Sequence, residues 1–188
     1  MADGTLKVEN IQTSSGSGTI TLGQSGETIT IPTGTTVSGA MSNKPSFSAW
    51  LSSDFSLINN TQTLIPFDVV QFNNDNCFNT STNRFVAPSA GQYYFFCTYH
   101  IDDLDDFDFA QIWYYKNGSN AFTIGGQTRH FLNQIYTPGT ATNAMPVATA
   151  VMDLEKDDYV QTYARHNQGG NQILSYEWTH FMGFKLIG

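Results

Sequence analysis

Residues 92–101 constrain this chain more than any other stretch. Tyr93, Phe95, Cys97 and Tyr99 fall on one face of a strand, and Tyr94, Phe96, Thr98 and His100 on the other, because strand side chains alternate with period two. A strand that is bulky and apolar on both faces has to be covered twice. One face fills the interior of a β-sandwich. The other needs a further cover, and an apolar surface that one copy leaves open marks an interface. The expectation is self-association; the alternative is that both faces are covered within one chain.

The rest of the chain agrees with an all-β fold. Aromatic residues make up 14% and charged residues only 13%, and aromatic and β-branched side chains suit a pleated, half-buried surface. No stretch keeps an apolar pattern at i, i+3, i+4 and i+7 for a dozen residues, so no long helix is predicted. Strands are expected at 64–70, 85–88, 92–101, 110–115, 146–154, 159–164 and 180–187, with a hairpin turn at Asn117-Gly118. Short strands separated by turn signals predict a jelly-roll β-sandwich.

Residues 1–43 are of a different kind. Ile20-Thr21-Leu22 and Ile29-Thr30-Ile31 repeat at a spacing of nine, with Gly/Ser-rich turns between. Two apolar side chains per repeat cannot bury themselves in one copy, whereas three copies about an axis build a thin apolar centre. A flexible Ser/Gly/Thr linker is the competing reading. The segment resembles the repeat stalks and attachment segments of bacteriophage fibre and appendage proteins. The expected organisation is a β-repeat stalk over 1–43 and a head over 44–188.

Charge narrows the partners. The net charge is −8, and the eight cations (Lys7, Lys44, Arg84, Lys116, Arg129, Lys156, Arg165, Lys185) are scattered. A nucleic-acid partner requires clustered cations, so none is expected. Neither a transmembrane run nor a secretory signal is read in the sequence, and no membrane insertion is expected. Cys77 and Cys97 have no CxxC spacing; they are read as buried free thiols, with a mutual bridge as the alternative.

The head carries a family pattern. Phe67, Asn73, Phe78, Phe85, Gly91, Tyr93 and Phe95 stand at the spacings of the C1q globular-head signature, with Cys97 where an aromatic is usual. Phe47-Ser48-Ala49, Lys116-Asn117-Gly118, the segment 154–160 (with Asp157 where Gly is usual) and Phe181-Met182-Gly183-Phe184 match further family segments. The sequence over 45–188 thus resembles the C1q head of the tumour necrosis factor-like superfamily. That resemblance implies a homotrimer. The core and trimer aromatics would be Phe67, Phe78, Phe85, Tyr93, Tyr94, Phe95, Phe96, Phe181 and Phe184.

Two candidate sites remain. Asp102, Asp103, Asp105, Asp106 and Asp108 put five carboxylates in seven residues, a cluster suited to Ca2+ or simply a solvated acidic loop. Tyr136, His166, Asn167, Gln168 and Asn171 combine rings and amides that suit sugars; ordinary polar loops are the alternative. No catalytic motif is found, with four dispersed histidines and no nucleophile elbow or phosphate loop. The chain is read as a non-enzymatic, trimeric bacteriophage virion protein located on the particle surface. It would be a tail fibre or spike with a host-surface-binding head, contacting other virion proteins through 1–43 and a host glycan or protein through the head. A capsid decoration protein and a soluble cellular C1q-like lectin or signalling protein are the alternatives.

Overall fold

The computed structural model describes Glu9, Ile11 and residues 19–35, 45–102, 109–120, 122–124, 127–129, 132–135 and 143–186. Two compact units are formed, Met1–Val37 and Ser38–Gly188.

In the first unit, residues 19–35 form two turns. The amide of Glu27 donates to the Gln24 carbonyl at 3.0 Å and that of Thr35 to the Pro32 carbonyl at 3.2 Å. Gly26 and Gly34 each hold the third turn position at φ 91°, the backbone a type II turn reserves for glycine. Within the single chain none of residues 19–35 pairs as a strand, and Ile20, Leu22, Ile29 and Ile31 are all exposed.

The second unit is built from strands: β1 (Ser46–Trp50), β2 (Phe55–Leu57), β3 (Thr63–Leu64), β4 (Val69–Asn74), β5 (Phe78–Asn79), β6 (Arg84–Val86), β7 (Gly91–Thr98), β8 (Ile101–Asp102) and β9 (Ala110–Lys116). There follow β10 (Phe122–Ile124), β11 (Gln127–Arg129), β12 (Leu132–Ile135), β13 (Asn143–Ala144), β14 (Val147–Leu154), β15 (Tyr159–His166), β16 (Gln172–Leu174) and β17 (His180–Lys185), with a 3-10 turn at Tyr176–Trp178. A five-stranded sheet runs β14-β7-β17-β1-β4, and a six-stranded sheet runs β12-β9-β15-β6-β5. The smaller sheets are β13-β8-β16-β2 and the hairpin β10-β11.

Two strand expectations are corrected. The stretch 64–70 is not one strand: Leu64 pairs with Tyr163 of β15, whereas Val69 pairs with Trp50 of β1 in the other large sheet. Pro66, which lacks an amide donor, stands where the chain changes sheets. The strand expected over 92–101 ends at Thr98, and Ile101 pairs with Ala144 and Leu174 instead. The Asn117-Gly118 turn forms as expected, with φ of 50° and 79°, and Lys116 and Ser119 exchange two hydrogen bonds of 2.9 Å. Pairing stops there, and the next strand along β9 is β12.

The core lies between the two large sheets. Phe181 sits among Phe47, Phe67, Phe78, Phe95 and Tyr114, with centroid separations from 4.8 to 6.3 Å. Buried tyrosine hydroxyls are satisfied on carbonyls: Tyr114 donates to Ala148 in the opposite sheet at 2.8 Å, and Tyr99 to Gln111 at 2.9 Å. Cys77 and Cys97 are free and buried. The bridged alternative is therefore not realised, and burial pushes both thiols up to about 12, so neither is a nucleophile near neutral pH.

Single residues explain parts of the family pattern. The Asn73 carboxamide accepts from the Phe78 amide at 2.9 Å and donates to the Phe78 carbonyl at 2.7 Å, which closes the turn between β4 and β5. Gly91 has φ 146°, and a Cβ there would lie 2.5 Å from the Lys185 side chain. At Gly183 a Cβ would meet the rings of Phe95 at 2.6 Å and Phe47 at 3.0 Å. Asp157 stands at φ 71°, so the departure from the family glycine falls where an L side chain is strained.

Two substitutions test this account by urea unfolding. Gly183→Ala should destabilise by about 1–3 kcal/mol, because added volume in a closed core forces rings off their minima. Asp157→Gly should stabilise by about 0.5–1 kcal/mol, since glycine adopts the left-handed region without cost. A Gly183→Ala midpoint equal to wild type would refute the packing argument.

Candidate assembly face and pocket

The alternation in β7 puts Tyr93, Phe95 and Cys97 in the core and Tyr94 and Phe96 on the opposite face, where they are half-buried. Register extends this outer face across the five-stranded sheet. One row reads Val151, Tyr94, Phe184, Ser46, Asn74. The next reads Thr149, Phe96, Met182, Ser48, Phe72. The third reads Val147, Thr98, His180, Trp50, Val69. Not one of the fifteen positions in these rows carries a Lys, Arg, Asp or Glu. Val151 is 48% exposed and Phe72 44%, so this chain alone leaves the face only partly covered.

Rings knit the face together. Tyr94 and Phe184 lie 5.2 Å apart, and His180 lies 5.9 Å from Trp50 and 6.5 Å from Phe96. The hydroxyl of buried Ser48 and Nε2 of His180 are 2.8 Å apart, which holds the imidazole upright among apolar neighbours. Burial lowers the His180 pKa below its ordinary 6.5, so the ring is neutral at pH 7.

A pocket of about 660 Å³ opens at the Trp50 end of the face. Trp50, Phe96, His180 and Met182 line it from the sheet, and Met145 with Tyr176, Glu177 and Trp178 line it from outside the strands. The 3-10 turn is anchored rigidly: Asp54 accepts from the Tyr176 amide at 3.1 Å, the Ser175 amide donates to the His100 carbonyl at 3.0 Å, and the Thr179 hydroxyl donates to the Ser175 carbonyl at 2.7 Å. The turn nevertheless leaves Tyr176 at 44% and Trp178 at 54% exposure.

The expected site residues separate accordingly. Phe67, Phe78, Phe85, Tyr93, Phe95 and Phe181 are core residues closed to any partner; of the nine aromatics named from sequence, Tyr94, Phe96 and Phe184 belong to the open face. His166 does not serve as a glycan contact. It is fully buried, with Nε2 on the Leu57 carbonyl at 3.2 Å and Nδ1 accepting from the Gln168 amide at 3.3 Å. Asn167 accepts from the Phe109 amide at 2.9 Å and Asn171 from the Asn59 amide at 3.2 Å, so both amide side chains brace neighbouring loops. Tyr136 lies outside the described residues, as do Asp103, Asp105, Asp106 and Asp108; Asp102 ends β8.

Sequence reasoning missed Trp50, Met182, His180 and Phe72 as members of the outer face. The period-two pattern of β1 and β17 assigns their sides, but only register sets the strands next to one another. The Tyr176–Trp178 turn had no signal beyond its two aromatics.

The comparisons with known proteins agree with this geometry. The family model described as "C1q domain" matches residues 46–186. Among solved structures, the globular domain of zebrafish complement 1qA is similar with a TM-score of 0.55 and 15% identity, covering 76% of this chain and 98% of that one. Murine APRIL is similar with a TM-score of 0.54 and 11% identity, covering 75% and 98%. At these identities the two structures speak to the fold alone. No curated protein matches the chain in sequence. The signature spacing, the two large sheets with their ring core and the match over residues 46–186 all point the same way: the chain belongs to the C1q domain family.

Proposed function

We propose that this protein is a homotrimeric, non-enzymatic structural protein of a bacteriophage particle, a fibre or spike whose C1q-type head binds the host surface. The observation that carries the reading is the outer face of the five-stranded sheet. It is rich in aromatic and aliphatic side chains, free of formal charge across three registered rows, and partly open in one copy, as a surface destined for burial between identical copies would be.

Residues 19–35 support the same assembly. A turn at 24–27 separates Ile20/Leu22 from Ile29/Ile31 and a second of the same design follows at 32–35, and all four side chains are exposed in the single chain. Three copies of such a segment side by side bury those side chains against each other and complete their backbone pairing. This repeated segment is what inclines the reading towards a virion appendage, with residues 1–43 contacting other virion proteins. C1q-type domains in general are binding or structural modules, in keeping with a non-enzymatic role. The second reading, a soluble cellular C1q-like lectin or signalling protein, draws on the animal origin of the similar folds.

Electron microscopy of particles labelled with antibody to the head tests the virion assignment, and label confined to free cellular protein would favour the second reading. Assembly is tested by light scattering on a sizing column, where the wild type should show three times the chain mass. Phe96→Lys should weaken the trimer about 100-fold or more, since an unpaired buried charge costs roughly 3 kcal/mol or above. A Phe96→Lys trimer of unaltered affinity would refute burial of this face.

The face also predicts a pH dependence. His180 has a lowered pKa in the folded protein, so between that value and 6.5 the unfolded chain binds more protons than the folded one. Stability therefore rises with pH through this window and is lost as the pH falls below about 6.5. The stability of His180→Gln should be less sensitive to acidification than that of wild type, read as urea midpoints at pH 7.5 and 5.5.

A further inference from the structure

The structure assigns the outer face of the six-stranded sheet as the docking surface of an acidic carbohydrate chain, with Arg84 and Arg165 as its anion contacts. This rests on the reading of the head as a host-binding module and gives that module a place and a ligand class. The face stays open in the assembly. The outer faces of the two large sheets point away from each other across the core, so three copies that close a ring on the five-stranded side leave the six-stranded side to solvent. Contacts through both opposite faces would propagate an open filament instead.

Alternation builds this face. Ile112, Tyr114, Val160, Ala164 and Phe85 are buried in the core. Trp113 and Tyr115 of β9, Tyr159, Tyr163 and Arg165 of β15, and Arg84 of β6 therefore point outward, and all six are half-buried. Register sets Trp113 beside Tyr163, and the rings of Tyr115 and Tyr163 lie 4.1 Å apart at 31°. The Tyr115 hydroxyl is fixed on Gln62 Oε1 at 2.5 Å. Rings held by one another in this way form a stacking platform for the C–H faces of sugar rings, and they lose little conformational entropy on binding.

The two arginines decide the charge of the ligand. The chain carries −8 overall, yet the outward positions of β6, β9 and β15 include no Asp or Glu. The ion pairs among the described residues engage Lys116 with Asp158 and Lys156 with Asp157, whereas Arg84 and Arg165 rest on neutral groups. The Arg84 guanidinium lies 4.0 Å from the centre of the Tyr159 ring, and its Nε is buried without an acceptor. Arg165 donates to Asn60 Oδ1 at 2.6 Å and lies 5.2 Å from the Phe109 ring. These contacts orient each planar fork and leave its charge uncompensated, the state in which it takes a carboxylate or sulfate through parallel hydrogen bonds.

Spacing favours an extended chain over a single anion. Val160 lies opposite Phe85, and continuing that register puts Arg84 beside Gln161, four residues before Arg165 on β15. The two cations are thus about 13 Å apart along the strand, with Tyr163 between them. A chain of acidic sugars spans this distance with its rings over the tyrosines and an acidic group at each arginine. Peptides that bind sheets use a free edge strand or an apolar groove, and β9 and β15 are interior strands of their sheet.

The test titrates the full-length protein by NMR with tetragalacturonate and a heparin tetrasaccharide as carboxylated and sulfated probes, cellotetraose as the neutral control and hexaglutamate as an acidic peptide. At least one acidic oligosaccharide should bind about ten-fold or more tightly than cellotetraose and hexaglutamate, with an affinity that falls as salt is added. It should move the indole resonance of Trp113 and leave those of Trp50 and Trp178 in place. Arg84→Gln and Arg165→Gln should each weaken this binding about ten-fold or more, and Lys156→Gln, which removes the same charge elsewhere, should leave it unchanged. The Trp113 resonance reads the site in the wild type, so the outcome does not depend on how well an arginine variant folds. Binding of neither acidic oligosaccharide, equal binding of cellotetraose or hexaglutamate, a response confined to Trp50 and Trp178, or full affinity in both arginine variants would overturn the site. Particle labelling is read separately, so a head found on virions that binds neither acidic oligosaccharide overturns this inference alone.

Discussion

The absence of a side chain at Gly183 is what lets the sandwich close. The rings of Phe95 and Phe47 occupy the space that a Cβ would take, and this brings Phe181, two residues earlier in β17, into the middle of the ring cluster. With the inner face so tightly filled, β17 can lie between β7 and β1 in the centre of the five-stranded sheet. The alternate residues His180, Met182 and Phe184 are then forced to the outer side. The core and the uncharged outer face are thus two consequences of one packing decision.

The same arrangement explains the largely apolar, uncharged outer face. Aromatic positions on both sides of β7 are matched by apolar residues in β14 and β17, while the serines of β1 contribute small, uncharged positions. Ser48 serves a second purpose by holding the His180 ring. A titratable group in such a setting links stability to acidity, because protonation would place a charge among Trp50, Phe96 and Met182. The pocket begins where these strands end, and its outer wall comes from a turn that contributes nothing to the core.

Much of the head was legible from residues alone. The alternation over 92–101 separated Tyr93 and Phe95 from Tyr94 and Phe96 correctly, since side-chain direction in a strand is a local property. Asn117-Gly118 announced its turn for the same reason, and Asp157 marked a strained position because only glycine reaches that backbone region freely. The stretch 64–70 was misread because a strand pattern carries no sign of a sheet change, and Pro66 was the one available signal. His166 looked like a polar loop residue next to Asn167 and Gln168, yet it ends β15 and is buried on the Leu57 carbonyl. Polarity in sequence does not reveal burial when a hydrogen-bond partner lies more than a hundred residues away.

The sequence by itself determined the fold class, the family and the sidedness of the strand over 92–98. These follow from period-two alternation, turn chemistry and fixed spacings, all of which act over short range. Tertiary structure alone decided which side chains share the outer face, that Trp50, His180, Phe96 and Met182 meet at one end of it, and that Tyr176 and Trp178 stand open above them. Such groupings depend on strand register between segments far apart in the chain. Register is set by how the rings of Phe47, Phe95 and Phe181 pack together, which no local pattern encodes.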